Sequence, residues 1–315
     1  MNDTQPPQAH PPLKHPTLGT DGPAFAELLE VLQLDRVGPS RFRARSPHDR
    51  TRSIFGGQLI AQALVAAGHT AEHGRLAHSM HAYFLRPGDP ALPLDIEVEA
   101  IRDGRAYQHR QAVVSQGGKE VLRLLAGFVV PQDGAAFQVP VVVGEADPAG
   151  FTDYIGWTLD GSRTPDHPWG EESRPVALRY EGAPPPEVGQ RIERPLRIWC
   201  RLHDRVDSDD PILHAALLAW ISDKTLADLT VLVHGYRWMD PGVSSLSLDH
   251  AMWYAGRVRA DGWLLFEQEV LQTASQRGLV QGAFVSPTGQ RLATACQEAL
   301  VGLPDAAGQR DADSA

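Results

Sequence analysis

The chain has 315 residues, 42% of them hydrophobic and 22% charged, enough for one large core or two modest ones. Its formal net charge of −10 argues against general nucleic-acid binding, which needs a basic face. No apolar run approaches the ~18 residues of a membrane span, so a spanning helix is not expected.

In chain order, Met1 to Pro16 is rich in Pro, His and Gln, with neither the basic start nor the apolar middle of a secretory signal. It reads as part of a disordered tail over residues 1–24. Phe55-Gly56-Gly57-Gln58 leads into a predicted helix from Leu59 to Ala67. Leu59, Ile60, Ala63, Leu64 and Ala67 share one face of it, and Gly68 is its stop. After a segment beginning His78-Ser79-Met80-His81, apolar and acidic residues alternate from Leu94 to Ala100, the period of a strand. Tyr107 to Ser115 reads as a strand, Gln116 to Lys119 as a hairpin turn, and Glu120 to Val130 as the returning strand. Residues 136–190, rich in Pro, Gly and Asp, read as a linker.

The order then repeats. Pro211 to Ala227 is predicted as a mainly apolar helix, with Asp210 as its N-cap. Ser247 to Trp253 follows, then strands from Trp263 to Thr273 and from Gly278 to Ser286. Pro287 to Gln290 is the turn, and Arg291 to Leu300 returns. The two turn glycines are separated by 289 − 118 = 171 residues, and His81 and His250 by 250 − 81 = 169. A helix followed by antiparallel strands, given twice, points to a helix wrapped by a curved sheet, twice. Pattern alone leaves open a generic α+β protein with accidental similarity.

Chemistry-bearing residues are sparse. The two cysteines, Cys200 and Cys296, form no CxxC, which argues against a disulfide framework or zinc ribbon and fits a reducing cytoplasm. His78 and His81 lack a third ligand at metal-binding spacing and read as strand histidines, so no metal is expected. The chain has no G-x-S-x-G elbow, dinucleotide fingerprint or Walker loop. Taken alone, Asp223 would N-cap a short helix from Lys224 to Leu229, Ser247 would be a strand-edge serine, and Gln297 a solvent-exposed strand-end glutamine.

Several segments change that weighting. They are Phe55 to Leu64, His78 to Asp89, Arg102 to Arg105, Asp249 to Trp253, Arg277-Gly278 and Ala293 to Glu298. In this order they resemble the type II acyl-CoA thioesterase family, the bacterial thioesterases II and their peroxisomal relatives. The resemblance covers about residues 25–135 and 195–302. It implies an α+β double hotdog, two helix-wrapped antiparallel sheets packed as an intrachain pseudo-dimer. The implied division is an N-terminal hotdog over 25–135, a linker over 136–190, a C-terminal hotdog over 191–302 and a tail over 303–315.

The resemblance also implies the hydrolysis of fatty acyl-CoA to a free acid and coenzyme A, without a cofactor. The catalytic set falls on Asp223, Ser247 and Gln297, with Asp223 as general base for a water held by Ser247 and Gln297. Ser247 stands where bacterial members often carry Thr and peroxisomal ones Ser. Gly57 and Gln58 are expected at the substrate, with backbone N–H groups near Gly56-Gly57 as oxyanion donors. Arg277 is a candidate phosphate contact, with a structural ion pair as its equal alternative. A non-catalytic acyl-CoA-binding sensor or scaffold is the competing function. Assembly into homo-oligomers is expected. Gln297 is matched at 297 − 171 = 126 by Ala126, so one active site per chain is expected.

Overall fold

The computed structural model describes residues 21–46, 53–153, 175–182, 189–237 and 240–304. Most of both expected tails, and part of the expected linker, lie outside the described residues. The elements of the first half are α1 (Asp21–Val31), β1 (Asp35–Arg36), β2 (Arg41–Ala44), α2 (Gly56–Gly68), β3 (Leu76–Phe84), β4 (Leu94–Asp103), β5 (Tyr107–Gln116) and β6 (Lys119–Val129). Next come β7 (Thr152–Asp153), β8 (Val176–Tyr180), β9 (Leu196–Leu202), α3 (Pro211–Ser222) and α4 (Leu229–Leu232). The chain then runs through β10 (Ser244–Ser247), β11 (Asp249–Tyr254), β12 (Leu264–Ala274), β13 (Arg277–Val285) and β14 (Arg291–Gly302).

The strands form one antiparallel sheet in the order β1-β2-β4-β5-β6-β3-β11-β14-β13-β12-β9-β8-β7, with β10 paired to β14. The order is a palindrome of roles. β2-β4-β5-β6-β3 in the first half is answered by β9-β12-β13-β14-β11 in the second. The halves join where β3 meets β11, and His81 stands directly opposite Ala251. Leu124 faces Ala82, and its equivalent 171 residues on, Ala295, faces Met252, so 252 − 82 = 170 is the offset of these strands. For the strands that return, Gly118 and Gly289 give 171. His250 therefore corresponds to Met80, and the sequence match of His81 with His250 is one residue out of phase. Alternation turns that slip into a change of face: His250 is fully buried and His81 exposed.

Both halves also share a β-bulge. Ala77 faces Phe128 while Ser79 faces Gly127, leaving His78 extra. Ser247 faces Ala299 and Ala251 faces Cys296, so one residue is again extra on the same side.

α2 and α3 lie side by side and antiparallel beneath the sheet. A Cβ on Gly57 would come 2.7 Å from the Trp220 carbonyl oxygen, and one on Gly68 would strike Ile212. The helices approach this closely because α2 offers glycine at both ends of the contact. The aliphatic face read from the sequence, Leu59, Ile60, Ala63, Leu64 and Ala67, is buried against the strands.

Three boundaries differ from the sequence reading. The second long helix ends at Ser222 rather than Ala227, because the Lys224 N–H bonds the Ile221 carbonyl and tightens the last turn. Asp223 thus caps the C-terminus of α3 and heads no helix of its own. Second, α1 starts at Asp21, inside the stretch read as tail, and its Phe25 and Leu28 join the core. Third, β8 lies inside the stretch read as linker and pairs with β9, burying Val176, Ala177, Leu178 and Tyr180. A five-residue strand is diluted when composition is averaged over so long a Pro- and Gly-rich stretch.

Candidate active site

Three elements of the second half converge under the end of α2. α3 ends at Asp223, leaving that side chain beyond the last turn and free to face sideways. β10 ends at Ser247, just before the bulge, where the strand is re-aimed. Gln297 sits mid-strand on the buried face of β14, opposite Val280, and is fully enclosed. The expectation of an exposed strand-end glutamine is therefore corrected: its phase on β14 points it inward, and the strand runs on to Gly302.

The side chains meet. Gln297 Nε2 donates to Asp223 Oδ1 at 2.6 Å and to Ser247 Oγ at 2.7 Å. The Ser247 hydroxyl donates to Asp223 Oδ1 at 3.4 Å, a long bond that closes the triangle. A carboxylate only accepts, so the Gln297 amide must present its nitrogen here, and its Oε1 is left buried without a protein partner among the described residues.

The fourth side is the N-terminus of α2. The Gly57 N–H donates to the Asp223 carboxylate. A Cβ on Gly56 would stand 2.6 Å from Asp223 Oδ2, so only glycine admits the carboxylate. Phe84, from the end of β3, would lie 3.0 Å from that same Cβ. The first half thus supplies a wall and a helix terminus, and the second half the polar side chains.

Burial pushes the Asp223 carboxyl up to about 6. The Gln297 bond, the Lys224 ammonium, the Gly57 N–H and the Ser247 hydroxyl all oppose that rise and are outweighed. The Lys224 ammonium is held over the Phe55 ring at 4.1 Å and the Trp220 ring at 4.4 Å from their centroids.

Two expected substrate contacts stand apart from this cluster. The Gln58 amide donates to Ser46 Oγ at 2.8 Å, tying the start of α2 to the chain after β2. It is buried and engaged in structure. Arg277 points to the outer face of β13, where its Nε donates to Glu298 Oε1 at 2.9 Å. Gln297, one residue from Glu298, points to the opposite face.

Sequence reasoning missed His250. Its ring is fully enclosed on the inner face of β11, with Nδ1 3.7 Å from Asp223 Oδ1 and Nε2 2.8 Å from Ser222 Oγ. The signal was present in the phase of β11, obscured by the one-residue misalignment with His81. A cleft of about 500 Å³ opens elsewhere, lined by Phe137, Gln138, Trp253 and Arg291 among others, and includes none of these residues.

Comparison with known proteins agrees with the architecture. A family model described as the acyl-CoA thioesterase N-terminal domain matches residues 44–129. Its counterpart, the acyl-CoA thioesterase C-terminal domain, matches residues 154–301. Human acyl-coenzyme A thioesterase 8 is 30% identical over 280 residues, covering 86% of this chain and 87% of that protein. Acyl-CoA thioesterase 2 of Haemophilus influenzae is 30% identical over 277 residues, covering 87% of this chain and 96% of that protein. The crystal structure of an acyl-CoA thioesterase II from Mycobacterium marinum superposes with a TM-score of 0.70 at 28% identity, covering 89% of this chain and 98% of that one. The fold is the double hotdog, and the chain belongs to the acyl-CoA thioesterase family.

Proposed function

We propose that this chain hydrolyses fatty acyl-CoA with Asp223 as general base, acting on a water held by Ser247 and Gln297. The carrying observation is the triangle of bonds among those three side chains, closed around a carboxyl displaced to about 6. A base poised near neutrality accepts a proton readily and still releases it within a turnover.

In this reading the water gives one proton to Asp223 as its oxygen attacks the thioester carbonyl carbon. The oxyanion forms at the N-terminus of α2, where backbone N–H groups and the helix dipole favour negative charge. As charge leaves the carboxylate, the Gly57 N–H, bonded to Asp223 in the resting site, is on hand for the oxyanion. Collapse of the tetrahedral intermediate breaks the C–S bond. The departing thiolate takes the proton from Asp223, giving the free acid and coenzyme A.

The test is release of free thiol from acyl-CoAs of increasing chain length, by the wild-type protein and by Asp223→Asn. Hydrolysis by the first and a loss of about two or more orders of magnitude in the second is expected, the scale of losing a general base. Most activity surviving in Asp223→Asn would sink the mechanism. Tight acyl-CoA binding with no thiol release in the wild type would favour the sensor or scaffold. The reading extends to a cytoplasmic location, supported by the free Cys200 and Cys296. It also extends to a homo-oligomer, which sedimentation would test.

A further inference from the structure

His250 stands in an unusual electrostatic position. It is a fully buried imidazole beside a buried carboxylate, yet the 3.7 Å between its Nδ1 and Asp223 Oδ1 is too long for a hydrogen bond. Burial also holds the ring neutral, pushing its pKa down to about 3, so the contact is no ion pair.

Its tautomer follows from the partners of Ser222. The Ser222 hydroxyl has one proton and donates it at 2.7 Å to the Ala219 carbonyl, in the last turn of α3 where carbonyls lack helical donors. The oxygen of Ser222 is then an acceptor toward His250 Nε2 at 2.8 Å, so Nε2 carries the ring proton. That leaves Nδ1 with a lone pair and no hydrogen-bond partner among the described residues. Nδ1 lies 3.7 Å from the carboxylate oxygen that Gln297 also contacts.

A lone pair toward an ionised carboxylate is repulsive, whereas toward a protonated carboxyl it is an acceptor waiting for a hydrogen. We propose that His250 is a positioning residue for Asp223, its bare Nδ1 favouring the protonated carboxyl and so steadying the proton between its removal from water and its delivery to the departing thiolate. This rests on Asp223 acting as the base. No bond to His250 forms or breaks: the water proton moves to Asp223, and from there to sulfur. The other groups facing Asp223 all favour the ionised form. They are Lys224 beside it, the Gly57 N–H of α2, Ser247 of β10 and Gln297 of β14. Around His250 itself stand Ser222 and Asp223, with Ala82 opposite it on β3. His250 is thus the neighbour that pulls the other way.

The decisive experiment uses the wild-type protein labelled with 15N at histidine. From about pH 5 to about pH 8, the His250 resonances should report a protonated Nε2 and an unprotonated Nδ1. The Nδ1 resonance should shift as Asp223 titrates near pH 6, and that shift should vanish in Asp223→Asn. A proton on Nδ1 anywhere in that range overturns the proposal. Kinetics give the second arm. His250→Leu removes both ring nitrogens, and with them the acceptor beside Asp223, while Ser222 keeps its bond to the Ala219 carbonyl. It should lower kcat by about tenfold, leave KM largely unchanged, and move the acid limb of kcat/KM to lower pH. A folded variant with an unmoved limb means that His250 only packs, while a still-inactive Asp223→Asn would leave the base assignment standing. Activity retained in Asp223→Asn removes the base assignment first, and this inference with it.

Discussion

Asp223 carries opposed demands in one side chain. In the proposed role of base it must be ionised at neutral pH, and buried as it is, ionisation costs stability. Its carboxyl lies near 6 in the folded chain against 3.8 for an ordinary aspartate. For a raised carboxyl, the stabilising contribution is complete below the unfolded value and is lost as pH rises through the folded one. Above about pH 6 the folded state therefore bears a cost of up to about 3 kcal/mol. Two results follow. The kcat/KM of the wild type should rise with pH through about 6 and then level, as the base ionises. Asp223→Asn should be nearly inactive yet melt a few degrees higher than wild type at pH 8, a gain that shrinks toward pH 4. Equal melting temperatures at pH 8 would show that the buried charge is better solvated than its surroundings indicate. Ser247 is tested by contrast. Ser247→Thr keeps the hydroxyl and should stay active, whereas Ser247→Ala should be slower by about tenfold or more, because the water loses an orienting partner. Equal rates for the two variants would reduce Ser247 to packing. The three residue types were legible from motifs, but their depth was not. Period-two alternation assigns a face and says nothing of how far a strand runs on, so Gln297 looked terminal and His250 was set in the wrong phase.

At the scale of elements, the helices and hairpins followed local rules, and errors arose where tertiary contacts decide. The α2 face and the alternating strands were visible because each needs only its own period. The end of α3 was not, since the apolar pattern continues through Leu226 while the backbone turns at Asp223. One turn contradicts its own residue types. The β5–β6 hairpin places Gly117 and Gly118 at φ +54° and +77°, as a two-residue primed turn requires. The β12–β13 hairpin, at a different place in the repeat, adopts the same left-handed region with Ser275 and Gln276, at φ +50° and +59°. Side chains there cost about 1 kcal/mol each relative to glycine. Gln276→Gly should therefore raise stability by about 1 kcal/mol and leave thiol release unchanged, read by chemical denaturation alongside the assay. A destabilised variant would mean that Gln276 makes a contact outweighing its backbone strain.

The whole molecule is a two-fold object with its polar cluster on one side. The register gives the equivalents directly. Ser247 maps to 247 − 170 = 77, Ala77, and Gln297 to 297 − 171 = 126, Ala126. Asp223, the C-cap of α3, maps to His69, the C-cap of α2. All three polar partners are thus replaced in the first half. The space is also taken. Val280, opposite Gln297, corresponds to Arg110, opposite Ala126. The Arg110 guanidinium is buried there, bonded to the Thr70 hydroxyl at 3.1 Å and to Asp103 at 2.5 Å. Nothing acyl-shaped can share that position without leaving a buried cation unpaired, which is strongly unfavourable. We therefore expect one site per chain. Calorimetric titration with a thioether analogue, which cannot be hydrolysed, should give one analogue bound per chain. Gln297→Ala should keep that stoichiometry, lose kcat by about tenfold or more, and shift the acid limb of kcat/KM upward, because the Gln297 bond is the largest force holding the Asp223 carboxyl down. It should also lose some stability, since Gln297 is fully enclosed and its removal leaves a cavity beside a carboxylate. Two equivalents bound per chain would mean that the first half retains a site that its buried arginine gives no sign of, and an unchanged kcat in Gln297→Ala would remove Gln297 from the chemistry.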